Sequence, residues 1–396
     1  MMPPEHSYDA LVVGGGLVGA SCAIALARCG LKVGLLDKRQ APAIAVANMP
    51  FDSRVYSIAP ANAAWLTSLG VWAKLDPERI STIDEMEIWG DADAQAKNEA
   101  TLRFQADGTR LPHLAFVLEE QVLQTALQTV LDELEVDNIT GEAAALEIGS
   151  NGAQMQLADG LTLQAKLVVA ADGGNSTVRA LADIAVSEHQ YEQTGVVANY
   201  ETALPHRNVA RQWFSNNDVM AWLPLPGNRI SLVWSTRNAG SLSGMDTDEL
   251  AEAVAEAGGR LLGKLIPITP ARNFPLVFRA ASSMVKPRVV LVGDAAHQIH
   301  PLAGQGVNLG FRDVIKLAEI LDQRKPYEDF GSHMVLRRYE RARKLDLLEM
   351  QTLTHGLNFL FESNQPMLKA LRNWGMQSLD NQTSIKRQLI RQAVQG

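Results

Sequence analysis

Cysteine is almost absent from this chain, with two in 396 residues. Cys22 and Cys29 fall on one predicted helix and cannot bridge without breaking it, so a disulfide framework is excluded and small apolar packing is their expected use. No CxxC pair is present for dithiol redox chemistry. Metal-ligand spacing is missing too: His297 and His300 flank a loop and lack further ligands. No apolar run reaches the length of a membrane span, and the opening MMPPEHSYD has neither the basic nor the apolar region of a secretory signal. Positive charge is in deficit, at a formal net charge of −8, which argues against a nucleic-acid groove because such a groove needs a basic face. No G-x-S-x-G or other nucleophilic triad stands out. The expectation is a cytoplasmic protein that binds no metal and no nucleic acid.

What is present is an ordered globular composition, 46% hydrophobic and 20% charged, in a chain long enough for one large domain and a smaller one. Tyr8 to Val13 (YDALVV) is an apolar β run. It is followed by Gly14-Gly15-Gly16-Leu17-Val18-Gly19, a small-residue helix from Ala20 to Ala27, and a strand from Lys32 to Leu36 that ends in Asp37. Strand, glycine turn, helix, strand and acidic end in this order form a dinucleotide-binding fingerprint. Gly14 permits the tight turn, Gly16 lets the backbone approach a pyrophosphate, and Gly19 allows close helix packing. Asp37 binds the adenosine ribose hydroxyls, and Lys38 beside it is a further cofactor candidate. No second GxGxxG follows, so a separate nicotinamide domain is not expected.

A second informative stretch lies late. Arg288 to Val292 (RVVLV) reads as a short buried strand. The chain then turns at Gly293-Asp294, runs through His297, Pro301, Gly304, Gln305 and Gly306, and enters a helix near Asn308 to Leu321. Glycines 304, 306 and 310 let backbone N–H groups approach a ligand, and the helix start favours negative charge. Asp294, at the carboxyl end of the strand, is an acceptor suited to the hydroxyls of a polyol or sugar.

With Ala171-Asp172-Gly173-Gly174-Asn175-Ser176-Thr177-Val178-Arg179 between them, these motifs resemble the flavoprotein aromatic hydroxylases over nearly the whole chain. Those are the single-component FAD-dependent monooxygenases related to p-hydroxybenzoate hydroxylase. The resemblance implies that the first fingerprint holds the ADP half of FAD and that Gly293 and Asp294 hold the ribitol. It places Asp172 near the pyrophosphate and implicates it in pyridine nucleotide use. Pro301, Gly304, Gly306, Val307 and Asn308 become flavin contacts. His297 and Gln305 fall beside the flavin loop, where they orient substrate or flavin, although His297 reads equally well as a loop-stabilising residue.

The string HPLAGQGVNLGFRDV, the early Asp52-Ser53-Arg54 and the ending with Leu357, Phe361 and Lys386-Arg387 look like the ubiquinone-biosynthesis hydroxylase branch, which acts on polyprenylated phenols. By this resemblance Arg54 reaches the flavin and the active-site mouth; a surface ion pair is the alternative. Where relatives carry an Arg, Asn or Gln touching the flavin, this chain has Glu119-Glu120-Gln121, and only Gln121 is carried over. The chemistry so implied belongs to the cofactor. NAD(P)H reduces the flavin, O2 converts it to a C4a-hydroperoxide, and an electron-rich phenol takes one oxygen. The protein holds ring and flavin in near-attack geometry and excludes water. Two other classes stay open: another flavin reaction on the same scaffold (halogenation or polyprenyl reduction), and a non-catalytic FAD-binding subunit of a biosynthetic assembly. The halogenase signature W-x-W-x-I-P is missing around Trp222.

The expected architecture is α/β. A discontinuous Rossmann-like FAD-binding domain (1–75, 110–185 and 280–340) carries an inserted antiparallel β-sheet substrate domain (76–109 and 186–279) and a helical C-terminal tail (341–396). Helices are expected over Asn62–Leu69, Gln121–Leu134 and Asp246–Ala257. A β-meander covers 144–148, 153–157 and 162–164, with a separate buried parallel strand at Lys166–Ala170. Met220, Trp222 and Pro224 share one parity, as do Ile230, Leu232 and Trp234, across a Pro226-Gly227-Asn228 turn. That alternation predicts a hairpin with one aromatic face, either ordinary core or a wall over the flavin. In the tail, Lys386, Arg387 and Arg391 flank an apolar stripe of Ile385, Leu389, Ile390 and Ala393. Such a helix docks on an anionic membrane surface or a partner of a ubiquinone-biosynthesis assembly, or packs on its own domain or in a homo-oligomer.

Overall fold

A computed structural model describes residues 6–40, 50–90, 102–106, 112–215, 218–298 and 306–344. Strand β1 (Ser7–Val13) lies inside a mostly parallel sheet. Its Ala10, Leu11 and Val12 are fully buried, as a strand covered on both faces requires. The sheet runs in the order Asp137–Thr140, β2 (Val33–Asp37), β1, Thr162–Ala170, Val289–Leu291 and Val285–Lys286. The carboxyl ends of β1, β2, Thr162–Ala170 and Val289–Leu291 therefore lie side by side, the edge at which open α/β sheets bind ligands. Helix α1 (Leu17–Arg28) follows β1, with α2 (Pro60–Ser68) and α3 (Glu120–Glu133) further on.

The expected break between residues 164 and 166 does not occur: Thr162–Ala170 is one strand. It pairs antiparallel with Ala153–Leu157 and parallel with β1. Leu163, Ala165 and Leu167 continue one buried parity while Gln164 and Lys166 point outward. The polar residues mark the solvated face rather than a turn. Gly310 also differs from expectation. A Cβ there would lie 2.5 Å from Val18 Cγ2, so its missing side chain serves the packing of helix Gly306–Asp322 on α1 instead of ligand approach.

The second large sheet has the order His297–Gln298, Arg272–Ala281, Val186–Thr202, Arg229–Thr236, Asp218–Leu225, Val209–Ser215, Glu85–Trp89 and Leu102–Gln105. It is antiparallel except where Val209–Ser215 runs parallel to Glu85–Trp89. The tryptophan hairpin forms in the expected register, Met220 opposite Trp234 and Trp222 opposite Leu232. Its aromatic face is core and not a wall over the flavin. Trp89 stacks on Trp213 at 4.9 Å, and Trp213 meets Trp222 edge-on at 4.7 Å. The end of helix Thr247–Ala257 closes over them, where a Cβ on Gly258 would come within 2.1 Å of Trp222. Alternation shows that one parity is buried; which element covers it is decided by the chain connection. On the opposite face Ala210 and Leu225 pack with Ile83 and Val117, and Asn199 donates from Nδ2 to Asp52 O at 2.6 Å.

A third, small sheet of β3 (Val55–Ile58), Ala115–Glu119 and Ser81–Ile83 completes the sheets. Cys22 is buried, Cys29 half-buried, and both are free. Among the described residues no helix is long and apolar enough to cross a membrane, and no cluster of metal ligands occurs. A helix over 333–344 is the last described element, and the expected basic helix at 385–394 lies outside the described residues.

Candidate active site

The three fingerprint glycines are required for different reasons. Gly14 has φ +106°, and a Cβ there would sit 2.3 Å from Ala171 O. At Gly19 a Cβ would fall 1.8 Å from Gly14 O. These two are demanded by the fold. Gly16 caps α1 at φ −70°, ψ −177°, and a Cβ on it would meet nothing within 4 Å. No part of the described protein needs glycine at 16, whereas a ligand approaching the open N-terminus of α1 does.

Asp37 closes β2 and accepts from the Gly15 N–H at 2.5 Å and from the Arg39 N–H at 2.7 Å. Burial alone would raise its carboxyl, but the bonds from Arg39 and Gly15 hold it below the ordinary value. It therefore stays an ionised acceptor beside a cleft of about 490 Å³, also lined by Gly15, Arg39, Glu120, Gln124 and Asn138. Lys38 is exposed and Arg39, not Lys38, pairs with Asp37. Gln124 escaped the sequence reading. It donates from Nε2 to Gly15 O at 2.7 Å and steadies the glycine turn; its position one turn beyond Gln121 on α3 is the only sequence signal for it.

Glu119, Glu120 and Gln121 each grip the segment 50–54. Gln121 donates to Pro50 O at 2.7 Å, Glu119 accepts from the Asp52 N–H at 2.6 Å, and Glu120 pairs with the Arg54 guanidinium at 3.1 Å. Glu119 is itself held by Arg79 through two bonds of 2.8 and 2.9 Å. Phe51 lies between the guanidinia of Arg79 and Arg229, at 4.5 and 5.0 Å. The Arg54 side chain is 61% exposed, and the charge of Glu120 raises its pKa further. It is an exposed cation paired with Glu120 at the start of α3. Nearby, Ser53 Oγ, Asn199 Oδ1 and Ser231 Oγ are buried without a hydrogen-bond partner.

Asp172 turns back into its own segment, accepting from Ser176 Oγ and the Val178 N–H. Its neighbour Arg179 links that segment to the late turn, donating to Gly174 O and Ala295 O at 2.8 and 2.9 Å. Gly293 adopts φ +60°. Asp294 beside it is open to solvent on one side yet walled by protein on the others, and this desolvation raises its carboxyl. His297 is buried and bonds through Nε2 to Asp313 at 2.6 Å. Asn308 fastens the helix Gly306–Asp322 to β3 and α2: its Oδ1 accepts from Ala59 N and Asn62 Nδ2, and its Nδ2 donates to Ser57 O. Its main-chain O also accepts from Asn62 Nδ2, at 3.3 Å. Val307 is buried in the core of the first sheet. Pro301, Gly304 and Gln305 lie outside the described residues.

The open Cβ position at Gly16, the acceptor Asp37 in a cleft and the accessible Asp294 fit a long dinucleotide laid across the carboxyl edge of the sheet. The family described as FAD binding domain matches residues 7–349. This chain belongs to that family. It is 35% identical over 388 residues to the 3-demethoxyubiquinol 3-hydroxylase of Escherichia coli (strain K12), covering 97% of each chain. It is 32% identical to the ubiquinone biosynthesis monooxygenase COQ6, mitochondrial, of Homo sapiens, covering 97% of this chain and 92% of that one. Among solved structures, p-nitrophenol 4-monooxygenase PnpA from Pseudomonas putida DLL-E4 matches with a TM-score of 0.78 at 19% identity, covering 98% of this chain and 99% of its own. A variant of Klebsiella pneumoniae HpxO, complexed with FAD, matches at 0.76 and 18% identity over 99% of both chains. At such identities the two structures speak for the fold alone. The relatives matched along their length are hydroxylases and monooxygenases, and this chain is an FAD-dependent oxidoreductase of the aromatic hydroxylase class.

Proposed function

We propose that this protein hydroxylates the ring of a polyprenylated phenol in ubiquinone biosynthesis, using FAD, O2 and NAD(P)H. The observation that carries the reading is the match along 97% of the chain to a hydroxylase of that pathway, with the cofactor cleft intact. When bound, FAD supplies the oxygen-activating chemistry. Gly14, Gly16, Gly19 and Asp37 hold its ADP half, Gly293 and Asp294 its ribitol, with Gly306 and the main chain of Asn308 near the flavin ring. Arg54 steadies negative charge at the mouth, while Glu120 sets where its guanidinium stands.

Supplying 2-polyprenylphenols with NAD(P)H and oxygen should yield a ring-hydroxylated product, identified by mass spectrometry. Arg54→Ala should keep FAD bound and uncouple NADPH consumption from product, with hydrogen peroxide as the balance. Wild-type NADPH oxidation that phenols do not stimulate would remove the hydroxylase reading, and full coupling in Arg54→Ala would return Arg54 to a surface ion pair.

A greasy substrate also calls for contact with a membrane or a pathway assembly, and the basic, apolar-striped segment 385–394 supports that role. Deleting residues 385–396 should leave FAD binding unchanged and lower co-sedimentation with anionic vesicles. Joint loss of solubility and FAD would assign the segment to the fold instead.

A further inference from the structure

Asp313 lies within the string HPLAGQGVNLGFRDV but is not among the cofactor contacts that the resemblance implies, and it holds the late turn from below. It lies on helix Gly306–Asp322 and is fully buried. Its Oδ2 accepts from the Gly293 N–H at 2.8 Å and from His297 Nε2 at 2.6 Å, and its Oδ1 accepts from Arg343 Nε at 2.6 Å. Burial alone would raise this carboxyl; His297, Arg343 and the Gly293 N–H together hold it below the ordinary value. An ionised carboxylate only accepts hydrogen bonds, so His297 must present a protonated Nε2 to it.

Arg343, 1% exposed, comes from the helix over 333–344. The same helix grips the chain leading into the turn. Tyr339 OH donates to Leu291 O at 2.9 Å, and Glu340 accepts from Ser283 Oγ at 2.6 Å and the Met284 N–H at 2.9 Å. Three side chains of one helix thus fasten the strand before the turn, the loop before that strand, and the acid beneath the turn. A buried ion pair contributes little net stability compared with an apolar replacement. Its use here lies in what Asp313 also accepts: the N–H of a glycine at φ +60° and one face of His297.

We propose that Asp313 and Arg343 are positioning residues for FAD, the pair passing the seating of the 333–344 helix to the Gly293–Asp294 turn and to His297. The acceptor holds the turn, and His297 and the guanidinium together keep that fully buried acceptor charged. Asparagine at 313 turns an N–H₂ toward one of the three donors, so the turn loses its fixed position.

The test uses the full chain with Asp313→Asn, Arg343→Met and the double variant, and reads FAD affinity by flavin fluorescence beside the melting temperature of the apoprotein. Each single variant should weaken FAD binding by at least about tenfold. In the double variant no buried charge is left alone, so the apoprotein should melt close to wild type while FAD binding stays weak by about the same factor. Recovery of FAD affinity together with stability in the double variant would overturn the proposal and leave the pair a structural counter-ion. So would unchanged affinity in Asp313→Asn. Where that single variant does not fold, the double variant carries the test.

Discussion

Gly16→Val should leave the apoprotein folded and abolish FAD binding. The backbone at 16, φ −70° and ψ −177°, is extended and open to any residue, and a Cβ there touches nothing within 4 Å. The cost to the free protein should stay within about 0.5 kcal/mol, as for other substitutions that disturb no contact. A bound pyrophosphate fills that same space against the α1 N-terminus, so valine and ligand exclude one another. Affinity should fall by at least about a hundredfold, close to 3 kcal/mol, read by flavin fluorescence against a thermal melt of the apoprotein. Gly19→Ala is the contrast: its Cβ would come within 1.8 Å of Gly14 O, and the expected outcome is loss of the fold itself. Near-normal FAD affinity in a folded Gly16→Val protein would mean that the pyrophosphate lies elsewhere.

Arg79→Ala should produce the largest stability loss of any single side chain at the seam between the sheets. It leaves Glu119, 1% exposed, without its cation, and breaking a buried pair from one side costs about 3–5 kcal/mol. The pH dependence gives this a second signature. Burial already raises the Glu119 carboxyl above 4.5, outweighing the Asp52 N–H and Arg79. A carboxyl raised in the folded state contributes stability that is present below its unfolded value and lost as pH rises through the folded value. Removing Arg79 raises it further, so the deficit should be greatest near pH 7.5 and shrink as pH falls toward 4.5. Adding Glu119→Gln should recover much of it. Urea midpoints at the two pH values measure this, and a deficit that is small and the same at both would refute the account. Because Glu119 also holds the Asp52 N–H, the variant should loosen the segment carrying Arg54.

The cofactor half of this protein was legible in the chain. Gly14, Gly16, Gly19, Asp37 and the Gly293-Asp294 turn are local patterns, each a strand end followed by a turn, and such geometry is set by neighbours in sequence. The hairpin register at Met220–Trp234 was legible for the same reason: alternation and a glycine turn fix it without reference to anything distant. Glu119, Glu120 and Gln121 were ambiguous because three adjacent polar residues at the start of a helix look alike until their partners are placed. Those partners, Arg79, Arg54 and Pro50, are remote in sequence.

Sequence alone therefore determined the α/β class, the dinucleotide fingerprint, the family, and which residues alternate between core and solvent. Local steric limits and side-chain periodicity act over a few residues and are written in order along the chain. Only the tertiary structure decided that the tryptophan face lies under a helix, that Gly310 exists for Val18, and that Asn308 spends its side chain on β3 and α2. It likewise decided that Asp313 joins Gly293, His297 and Arg343. Each of these depends on burial, where a polar group must find its partner wherever the fold brings one. That partner is chosen by the packing of whole elements and not by distance along the sequence.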